Sequence, residues 1–338
     1  MPSNASLVYA EPPVDVPQPG KHLKRVVDEQ FDPETVPLNG GILIQSKALS
    51  IDPYMRGRMR DPKVKSYNQA FELNQPLDTL AVGIVHRSED ESVPVGSIYR
   101  GRFAMSEWAV VPKERVKEGK VLKNEEGLPF TTLVGAAGMP GATAWVGFYE
   151  IGQPKKDQTI FVSAASGAVG QIVVQLAKRE GLKVIGSAGS EDKVEFIKSL
   201  GVDVAFNYKT TSTFDVLTEH PPDLYFDNVN GQTLDDVLAT INNKGVIIAC
   251  GSVSNYNKKK EDYYRIVNSW QVVTKTLRWQ GFIVFQHDLT EFEKTFPKLL
   301  KSGEVRIKEH VTKGIDNGEA FVDMLEGRAH GKAVISLE

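Results

Sequence analysis

The sequence predicts an α/β protein with a doubly wound parallel sheet and a second, mainly β domain. Three observations support this. Short apolar runs separated by Pro and Gly fill the chain to about residue 130. From about 131 to 300, short apolar runs alternate with amphipathic helical patterns, and after about 301 the two types mix. A chain of 338 residues suits two packed domains.

The first stretch predicts a partly closed β domain. Its short apolar or β-branched runs are bounded by turn residues, which is typical of strands. Strands separated in this way favour a barrel-like arrangement. The predicted strands are 41–44, 80–85, 103–104 and 108–111.

The second stretch alternates predicted strands with predicted helices, which favours a parallel sheet covered by helices on both faces. Val169, Ile172, Val173 and Leu176 share one face of the first helix. The predicted strands are 159–162, 183–186, 204–208, 224–227, 246–250 and 281–284.

The tail predicts a helix over 318–326 and a strand over 332–336. That strand would pair back with the first domain and make it discontinuous. The predicted domains are therefore 1–130 completed by 301–338, and 131–300.

Composition excludes several classes of function. The net charge of −3 does not fit the basic footprint of a nucleic-acid-binding protein. No apolar run reaches the roughly 18 residues that a membrane span needs. The N-terminal residues 1–6 lack the basic flank and apolar core of a secretory signal. The only cysteine, Cys250, excludes an intrachain disulfide and a zinc site built on several thiolates, and it favours a reducing, cytoplasmic location.

Residues 164–170 form a glycine-containing turn between a predicted strand and a predicted helix. Ala165 replaces the first glycine of the dinucleotide fingerprint. Gly167 would allow a pyrophosphate to approach the backbone, and Gly170 would allow the helix to pack closely on the sheet. Ala168 and Val169 lie between them, at a helix N-terminus that presents N–H groups to an anion. The alternative is a purely structural tight turn, but the surrounding βα units favour nucleotide binding.

The residues after the second strand bear on the choice between NAD and NADP. Small residues at 187–190 occupy the place of the acid that would hold a ribose 2′-hydroxyl. They leave room for a 2′-phosphate, which Lys193 and Tyr208 would contact. The alternatives are that Lys193 is a solvated helix residue, and that Glu191 or Asp192 is the acid of an NAD site.

The chain resembles a known family in blocks that run in family order over almost its whole length. Together they are similar to the zinc-independent medium-chain dehydrogenases/reductases, and more specifically to the leukotriene/prostaglandin reductases and plant alkenal double-bond reductases. The blocks are residues 50–56, 138–144, 162–170, 189–193, 206–209, 225–229, 250–257 and 281–284.

The resemblance implies a GroES-like β domain, a Rossmann domain and an active site in the cleft between them. It also implies NADPH as cofactor, and a homodimer. The family's phosphate and ribose contacts map onto Gly167 to Gly170, Lys193, Tyr208 and Asn228. Its nicotinamide-side contacts map onto Cys250, Gly251, Ser252 and the chain as far as Tyr256, and onto Phe282, Ile283 and Val284.

Two positions depart from the family pattern. Ala329 stands where the family usually has Asn between its last glycines, so a cofactor hydrogen bond is lost or replaced. Trp145 replaces a Tyr, which either reshapes the pocket or exchanges one core aromatic for another. Both departures bear on the substrate.

The implied reaction is NADPH-dependent reduction of the C=C bond of an α,β-unsaturated aldehyde or ketone. Without a metal, hydrogen-bond donors must stabilise the enolate oxygen that hydride addition creates. Tyr54 and Tyr256 are the candidate catalytic donors, and each is alternatively a packing tyrosine. Water is the alternative proton source for the α-carbon. Cys250 lacks the partners of a nucleophile.

Other roles stay open at this point. The alternatives to enone reduction are quinone reduction, oxidation of an allylic alcohol, and an inactive NADPH-binding protein. The arginines of residues 56–60 would contact a substrate carboxylate, span the domain interface or lie on the surface. Four aromatic residues would line a pocket or a dimer seam, or pack in the core: Tyr263, Tyr264, Trp270 and Trp279.

Overall fold

The computed structural model describes residues 3–338. Met1 and Pro2 lie outside the described residues. They belong to residues 1–6, for which the sequence predicts no secretory signal. The chain divides into two compact units. Unit 1 contains the residues up to Gly135 together with Glu309–Glu338, and unit 2 is Ala136–Lys308.

Strands and mostly short helices make up both units of the described chain. The strands are β1 Asn4–Tyr9, β2 Leu23–Asp28, β3 Ile42–Ser50, β4 Gln75–Pro76, β5 Asp78–Ser88, β6 Ile98–Ala104, β7 Trp108–Val111, β8 Lys120–Leu122, β9 Thr159–Val162, β10 Lys183–Ala188, β11 Val204–Asn207, β12 Leu224–Asp227, β13 Val246–Ala249, β14 Arg278–Gly281, β15 Glu309–Lys313 and β16 Lys332–Ser336. The helices are α1 Tyr54–Arg58, α2 Lys113–Val116, α3 Phe130–Val134, α4 Met139–Trp145, α5 Gly170–Arg179, α6 Glu191–Ser199, α7 Thr213–Glu219, α8 Gly231–Thr240, α9 Gln271–Thr274, α10 Thr290–Ser302 and α11 Glu319–Leu325. A π-helical stretch, Val146–Gly152, continues α4. Within residues 3–338, no helix combines the length and the apolarity that crossing a membrane requires.

Unit 1 is built around a mainly antiparallel sheet in the order β15-β16-β3-β5-β6-β8, with β7 also paired to β3. A smaller sheet has the order β2-β1-β4. Buried and half-buried residues alternate along β6, as a sheet with one face on a core requires. β16 pairs antiparallel with β3, so the end of the chain contributes to this unit. Helix α1, which starts at Tyr54, follows β3 closely.

Unit 2 contains a six-stranded parallel sheet in the order β11-β10-β9-β12-β13-β14. Numbered from β9, this is the 3-2-1-4-5-6 order of a Rossmann fold, with its topological switch between β9 and β12. All four residues of β12 are buried, as expected for a strand covered on both faces. The predicted fold class, a Rossmann sheet with a second β domain, is confirmed.

The predicted strand at 281–284 is wrong. The last strand of the sheet, β14, ends at Gly281, where the predicted strand begins. It lies at the edge of the sheet, and its last three residues are exposed. An edge strand is only partly covered, so it needs no continuous apolar run, and Gln280 interrupts one after Trp279. The residues that follow, 282–285, do form an apolar run, and the prediction therefore places the strand there. Phe282 and Ile283 lie outside any strand or helix, and Val284 begins a single 3-10 turn.

Candidate functional site

The predicted cofactor-binding residues all follow the carboxyl ends of strands in unit 2. Because the strands are parallel, these ends lie along one edge of the sheet, where α/β proteins bind ligands. Residues 167–170 follow β9, Lys193 follows β10, Tyr208 follows β11, Asn228 follows β12, 250–256 follow β13 and 282–284 follow β14.

The turn after β9 leaves no space for a side chain at Gly170. A Cβ there would collide with the Ala164 carbonyl oxygen and lie 2.8 Å from Ala165 Cα. At Gly167 a Cβ would lie 3.1 Å from the same oxygen. Ala164 itself has a φ of 48°, a left-handed conformation that is uncommon for alanine. The turn is therefore tight backbone, and within residues 3–338 no side chain caps the start of α5.

Ala165, in the place of the first fingerprint glycine, is completely buried. Its N–H donates to the carbonyl oxygen of Ser187 at 2.9 Å and so ties the turn to β10. A methyl group is accommodated here because the side chain points into the core of unit 2.

The residues after β10 and β11 form a small basic group. Tyr208 lies over Gly189, so that a Cβ on this glycine would be 3.1 Å from the tyrosine hydroxyl. Lys193, in the first turn of α6, is only 8% exposed. Burial lowers its pKa, and Asp192 opposes that change.

Two further lysines, which sequence reasoning did not select, belong to this group. The charges of Lys209 and Lys308 both lower the pKa of Lys193, which shows that the three cations are close. Lys209 adjoins Tyr208 in the sequence, and that adjacency was an available signal. Lys308 follows no local pattern. An anion placed among these cations would be stabilised by all of them.

At the switch point, β12 ends in a hydrogen-bonded network centred on Asp227. Its Oδ1 accepts from the Tyr225 hydroxyl at 2.8 Å and from the N–H groups of Val229 and Asn230 at 3.0 and 2.7 Å. Burial raises the pKa of Asp227 to about 6, and these hydrogen bonds oppose the rise. The network fixes the turn that follows β12.

Asn228 connects this turn to β9. Its Nδ2 donates to the Ser163 carbonyl oxygen at 2.8 Å, and its backbone N–H donates to Ser163 Oγ at 3.0 Å. Asn228 is therefore held between the two strands of the switch point.

The segment after β13 packs on the same network. The N–H groups of Cys250 and Gly251 donate to the Asp227 carbonyl oxygen at 3.0 and 2.9 Å. The Tyr256 hydroxyl accepts from the Ser252 N–H at 3.3 Å. Burial raises the pKa of Cys250 to about 12, and Asp227 adds to the rise, so the side chain is a thiol.

The residues after β14 have three different environments. Phe282 packs against the core of unit 2, where its ring adjoins Gly147. Val284 is buried, whereas Ile283 is 40% exposed. Of the three predicted contacts, Ile283 presents the most surface to a ligand.

Tyr54 lies in unit 1, at the start of α1. Its hydroxyl is buried, and within residues 3–338 it makes no hydrogen bond of ordinary geometry. Burial raises the pKa of Tyr54 to about 12; Asp52 adds to the rise, while Arg102 and Arg58 oppose it. The group is a neutral hydrogen-bond donor at pH 7.

The arginines next to Tyr54 hold the backbone. Arg56 donates to the Asp15 carbonyl oxygen at 2.8 Å, and Arg58 donates to the Gln69 carbonyl oxygen at 2.9 Å and to the Asp78 carboxylate. Arg60 donates to the carbonyl oxygens of residues 57, 64 and 68. The expectation that these arginines lie on the surface is wrong for Arg56 and Arg58, which are buried. They are buried because the carbonyl oxygens of the neighbouring loops need hydrogen-bond donors.

The two departures from the family pattern have ordinary packing environments. Trp145 contacts Tyr149 at 4.6 Å between ring centroids and also packs on Phe292 and Phe296, so it is a core aromatic residue of unit 2. Ala329 packs against the core of unit 1.

Two family descriptions match the chain. The family described as "Zinc-binding dehydrogenase" matches residues 168–302, and the one described as "N-terminal domain of oxidoreductase" matches residues 13–118. The first match covers much of unit 2, and the second lies within unit 1.

Similar proteins are found in fungi, plants and bacteria. The "NADP-dependent oxidoreductase RED1" of Cochliobolus heterostrophus is 40% identical, over 99% of this chain and 97% of the relative. The "2-alkenal reductase (NADP(+)-dependent)" of Nicotiana tabacum is 37% identical, over 87% of this chain and 86% of the relative. Among solved structures, CurA from Vibrio vulnificus in complex with NADPH has a TM-score of 0.87 and 31% identity, with 99% of each chain covered.

Proposed function

The chain belongs to the medium-chain dehydrogenase/reductase family, and from that premise we propose that it is an NADPH-dependent reductase of activated C=C bonds. It is an NADP-dependent oxidoreductase, as its relatives are. The proposed substrates are α,β-unsaturated aldehydes or ketones, which would gain hydride at the β-carbon. A relative named as a 2-alkenal reductase, at 37% identity over most of both chains, supports this substrate class.

The edge of the parallel sheet fits NADPH. Gly167 and Gly170 leave backbone exposed at the start of α5, where the pyrophosphate would lie. Lys193, Tyr208 and Lys209 would hold the 2′-phosphate. The preference for NADPH over NADH rests on one observation: Lys193 is a buried cation with other cations near it. A bound 2′-phosphate would relieve the repulsion between these cations. When bound, NADPH supplies the hydride.

The residues do not fit a zinc ion, although one matching family is described as zinc-binding. Within residues 3–338, no three His, Cys, Asp or Glu side chains come together as a metal site requires. The only cysteine remains a thiol, because burial raises the pKa of Cys250 to about 12. We therefore propose that hydrogen bonds polarise the substrate carbonyl.

Two tyrosines are the proposed donors. Tyr54 has a buried hydroxyl, and a substrate carbonyl oxygen would be its acceptor. The Tyr256 hydroxyl accepts from the Ser252 N–H, and a hydroxyl that accepts in this way can also donate its proton to a ligand oxygen. Tyr256 would contact cofactor or substrate beside the turn after β13, and water would protonate the α-carbon.

We also propose a homodimer that forms along β14. In the described part of the chain this strand pairs with β13 alone, so its other edge presents unpaired backbone groups. Several exposed apolar side chains lie on or near the strand: Trp270, Val273, Trp279, Ile283 and Phe285. Light scattering should give twice the chain mass, and Val273→Lys should shift it toward one chain. A monomeric parent protein would contradict this proposal.

Steady-state NADPH oxidation with a panel of enals, enones and quinones tests the reaction. We expect turnover of enals and enones, with the saturated carbonyl compound as product. Turnover of quinones alone would overturn the proposed substrate class, and NADPH binding without reduction of any acceptor would indicate a binding protein.

Two variants test the assigned residues. Lys193→Ala should raise the KM for NADPH about 10-fold or more, with much less effect on NADH, because only NADPH carries the 2′-phosphate. Equal effects on the two cofactors would contradict that assignment. Tyr54→Phe should lower kcat for enones, because it removes the hydroxyl that would donate to the substrate carbonyl oxygen and keeps the ring. Unchanged turnover of every acceptor would remove Tyr54 from the mechanism.

A further inference from the structure

Most of the buried and half-buried arginines of unit 1 donate hydrogen bonds to backbone carbonyls or carboxylates. They are Arg56, Arg58, Arg60, Arg87, Arg100 and Arg115. Arg102 differs from them. Its ion-pair partner, Asp78 Oδ2, is 3.9 Å away, and its side chain interacts with Tyr54, whose pKa it lowers. Its side chain is only 23% exposed.

The carboxylate nearest to Arg102 is already shared. Arg58 donates to Asp78 Oδ1, and Arg115 donates to Asp78 Oδ2 at 3.2 Å. The Asp78 carboxylate therefore faces three guanidinium groups, of which, among the described residues, only Arg115 also pairs with Glu118, at 3.5 Å, so positive charge remains in excess. Burial lowers the pKa of Arg58, and the positive charge of Arg102 adds to that change. An anionic oxygen close to Arg102 would relieve this excess of positive charge.

Arg102 also lies beside Tyr54. Its guanidinium carbon is 5.8 Å from the centroid of the Tyr54 ring, and its charge opposes the burial that raises the pKa of that tyrosine. The Tyr54 hydroxyl is buried without a hydrogen-bond acceptor among the described residues. Even where an Arg102 N–H donates to the Tyr54 oxygen, the Tyr54 proton and the other Arg102 N–H groups lie side by side, and one oxygen atom with two lone pairs accepts from both residues.

We propose that Arg102 is a substrate-contacting residue that, together with Tyr54, binds the carbonyl oxygen on which negative charge develops. This inference rests on the proposed function. In the hydride transfer, a C–H bond of the dihydronicotinamide breaks and a C–H bond forms at the β-carbon, while NADPH is oxidised to NADP⁺. The C=C electron pair becomes the double bond between the α-carbon and the carbonyl carbon, and the C=O π pair moves onto oxygen as the enolate. Water then protonates the α-carbon, which restores the C=O bond and leaves hydroxide. Arg102 and Tyr54 stabilise the enolate oxygen between these two events.

Arg102→Met tests the contact, with Arg115→Met as its matched control. Both variants remove one cation from beside Asp78, but only Arg102 lies against Tyr54. Arg102→Met should lower kcat for a neutral enone about 100-fold, the effect of losing one oxyanion donor, and leave the KM for NADPH unchanged. Arg115→Met should change kcat less than about threefold. Arg102→Lys keeps the charge and should recover part of the loss.

A coupling measurement separates a shared site from two independent effects. If Tyr54 and Arg102 act on one oxygen, the double variant Tyr54→Phe/Arg102→Met should lose less than the product of the two single losses. Fully multiplicative losses would overturn the shared site.

Binding of 4-nitrophenolate, an enolate mimic with a visible absorbance, tests the site without turnover. With NADP⁺ present at mildly alkaline pH, its Kd should rise at least about 10-fold in Arg102→Met and stay unchanged in Arg115→Met. If no enone is reduced but this pattern holds, the proposed function fails and the anion site stands. The site is overturned if Arg102→Met matches Arg115→Met in both assays, or if it raises only the KM of carboxylate-bearing enones.

Discussion

Replacing Asp227 by Asn should change how the stability of the protein depends on pH. The free energy of unfolding depends on protonation wherever a group has different pKa values in the folded and unfolded states. Burial raises the pKa of Asp227 from 3.8 to about 6, so the folded chain binds this proton more tightly than the unfolded chain does. This proton stabilises the folded chain fully at pH values below the pKa of Asp227 in the unfolded chain. The stabilisation is lost as pH rises through the pKa of Asp227 in the folded chain.

The size of the effect follows from the gap between the two pKa values. At 1.36 kcal/mol for each pH unit, ionised Asp227 lowers the free energy of unfolding by about 3 kcal/mol at neutral pH. About 1 kcal/mol of this decrease in the free energy of unfolding takes place between about pH 5 and pH 7. Asn keeps the Oδ1 that accepts from Tyr225, Val229 and Asn230, and it cannot ionise.

Urea denaturation of the cofactor-free chain at several pH values measures this. The advantage of Asp227→Asn over the parent should grow by about 1 kcal/mol between about pH 5 and pH 7, and then stay constant at higher pH. Tyr225→Phe is the control, because losing its hydrogen bond should raise the Asp227 pKa further and move the transition to higher pH. Parallel curves for the parent and Asp227→Asn over the whole range would refute the reasoning.

Two other substitutions test close packing and a buried ion pair. Gly170→Ala should destabilise the chain by about 1–3 kcal/mol, because its Cβ meets backbone, and calorimetry should show a smaller loss for Gly167→Ala. Equal losses would contradict this steric argument. Lys332→Met should cost about 3–5 kcal/mol in urea denaturation, since it leaves Asp52, 3.0 Å from Lys332 Nζ, as an unpaired buried carboxylate. Asp52→Asn/Lys332→Met should recover most of that loss; an equally unstable double variant would show that unpaired charge is not the cause.

The strands in the middle of the parallel sheet could be predicted because both of their faces are buried. Strands β9 and β12 therefore appear in the sequence as short apolar runs between turns. The edge strand β14 could not be predicted in this way, since its exposed Trp279 and Gln280 interrupt any apolar run.

The same contrast applies to the candidate site. The glycines of the turn after β9 could be predicted, because a tight strand-to-helix turn needs them at fixed offsets. The environments of Arg58 and Arg102 could not, because Asp78 and Tyr54 approach them only through the pairing and loops of unit 1. Of the lysines in the small basic group, Lys193 could be predicted because it follows β10, whereas Lys308 could not.

The half-buried position of Cys250 has a chemical consequence for the proposed reduction of enals and enones. Such compounds are electrophiles that alkylate thiolates. Because desolvation raises the pKa of Cys250 to about 12, the side chain is a thiol and not a thiolate at neutral pH. Since the chain has no second cysteine, every thiol it contains is protected in this way. The protein can therefore meet its proposed substrates with little covalent self-inactivation.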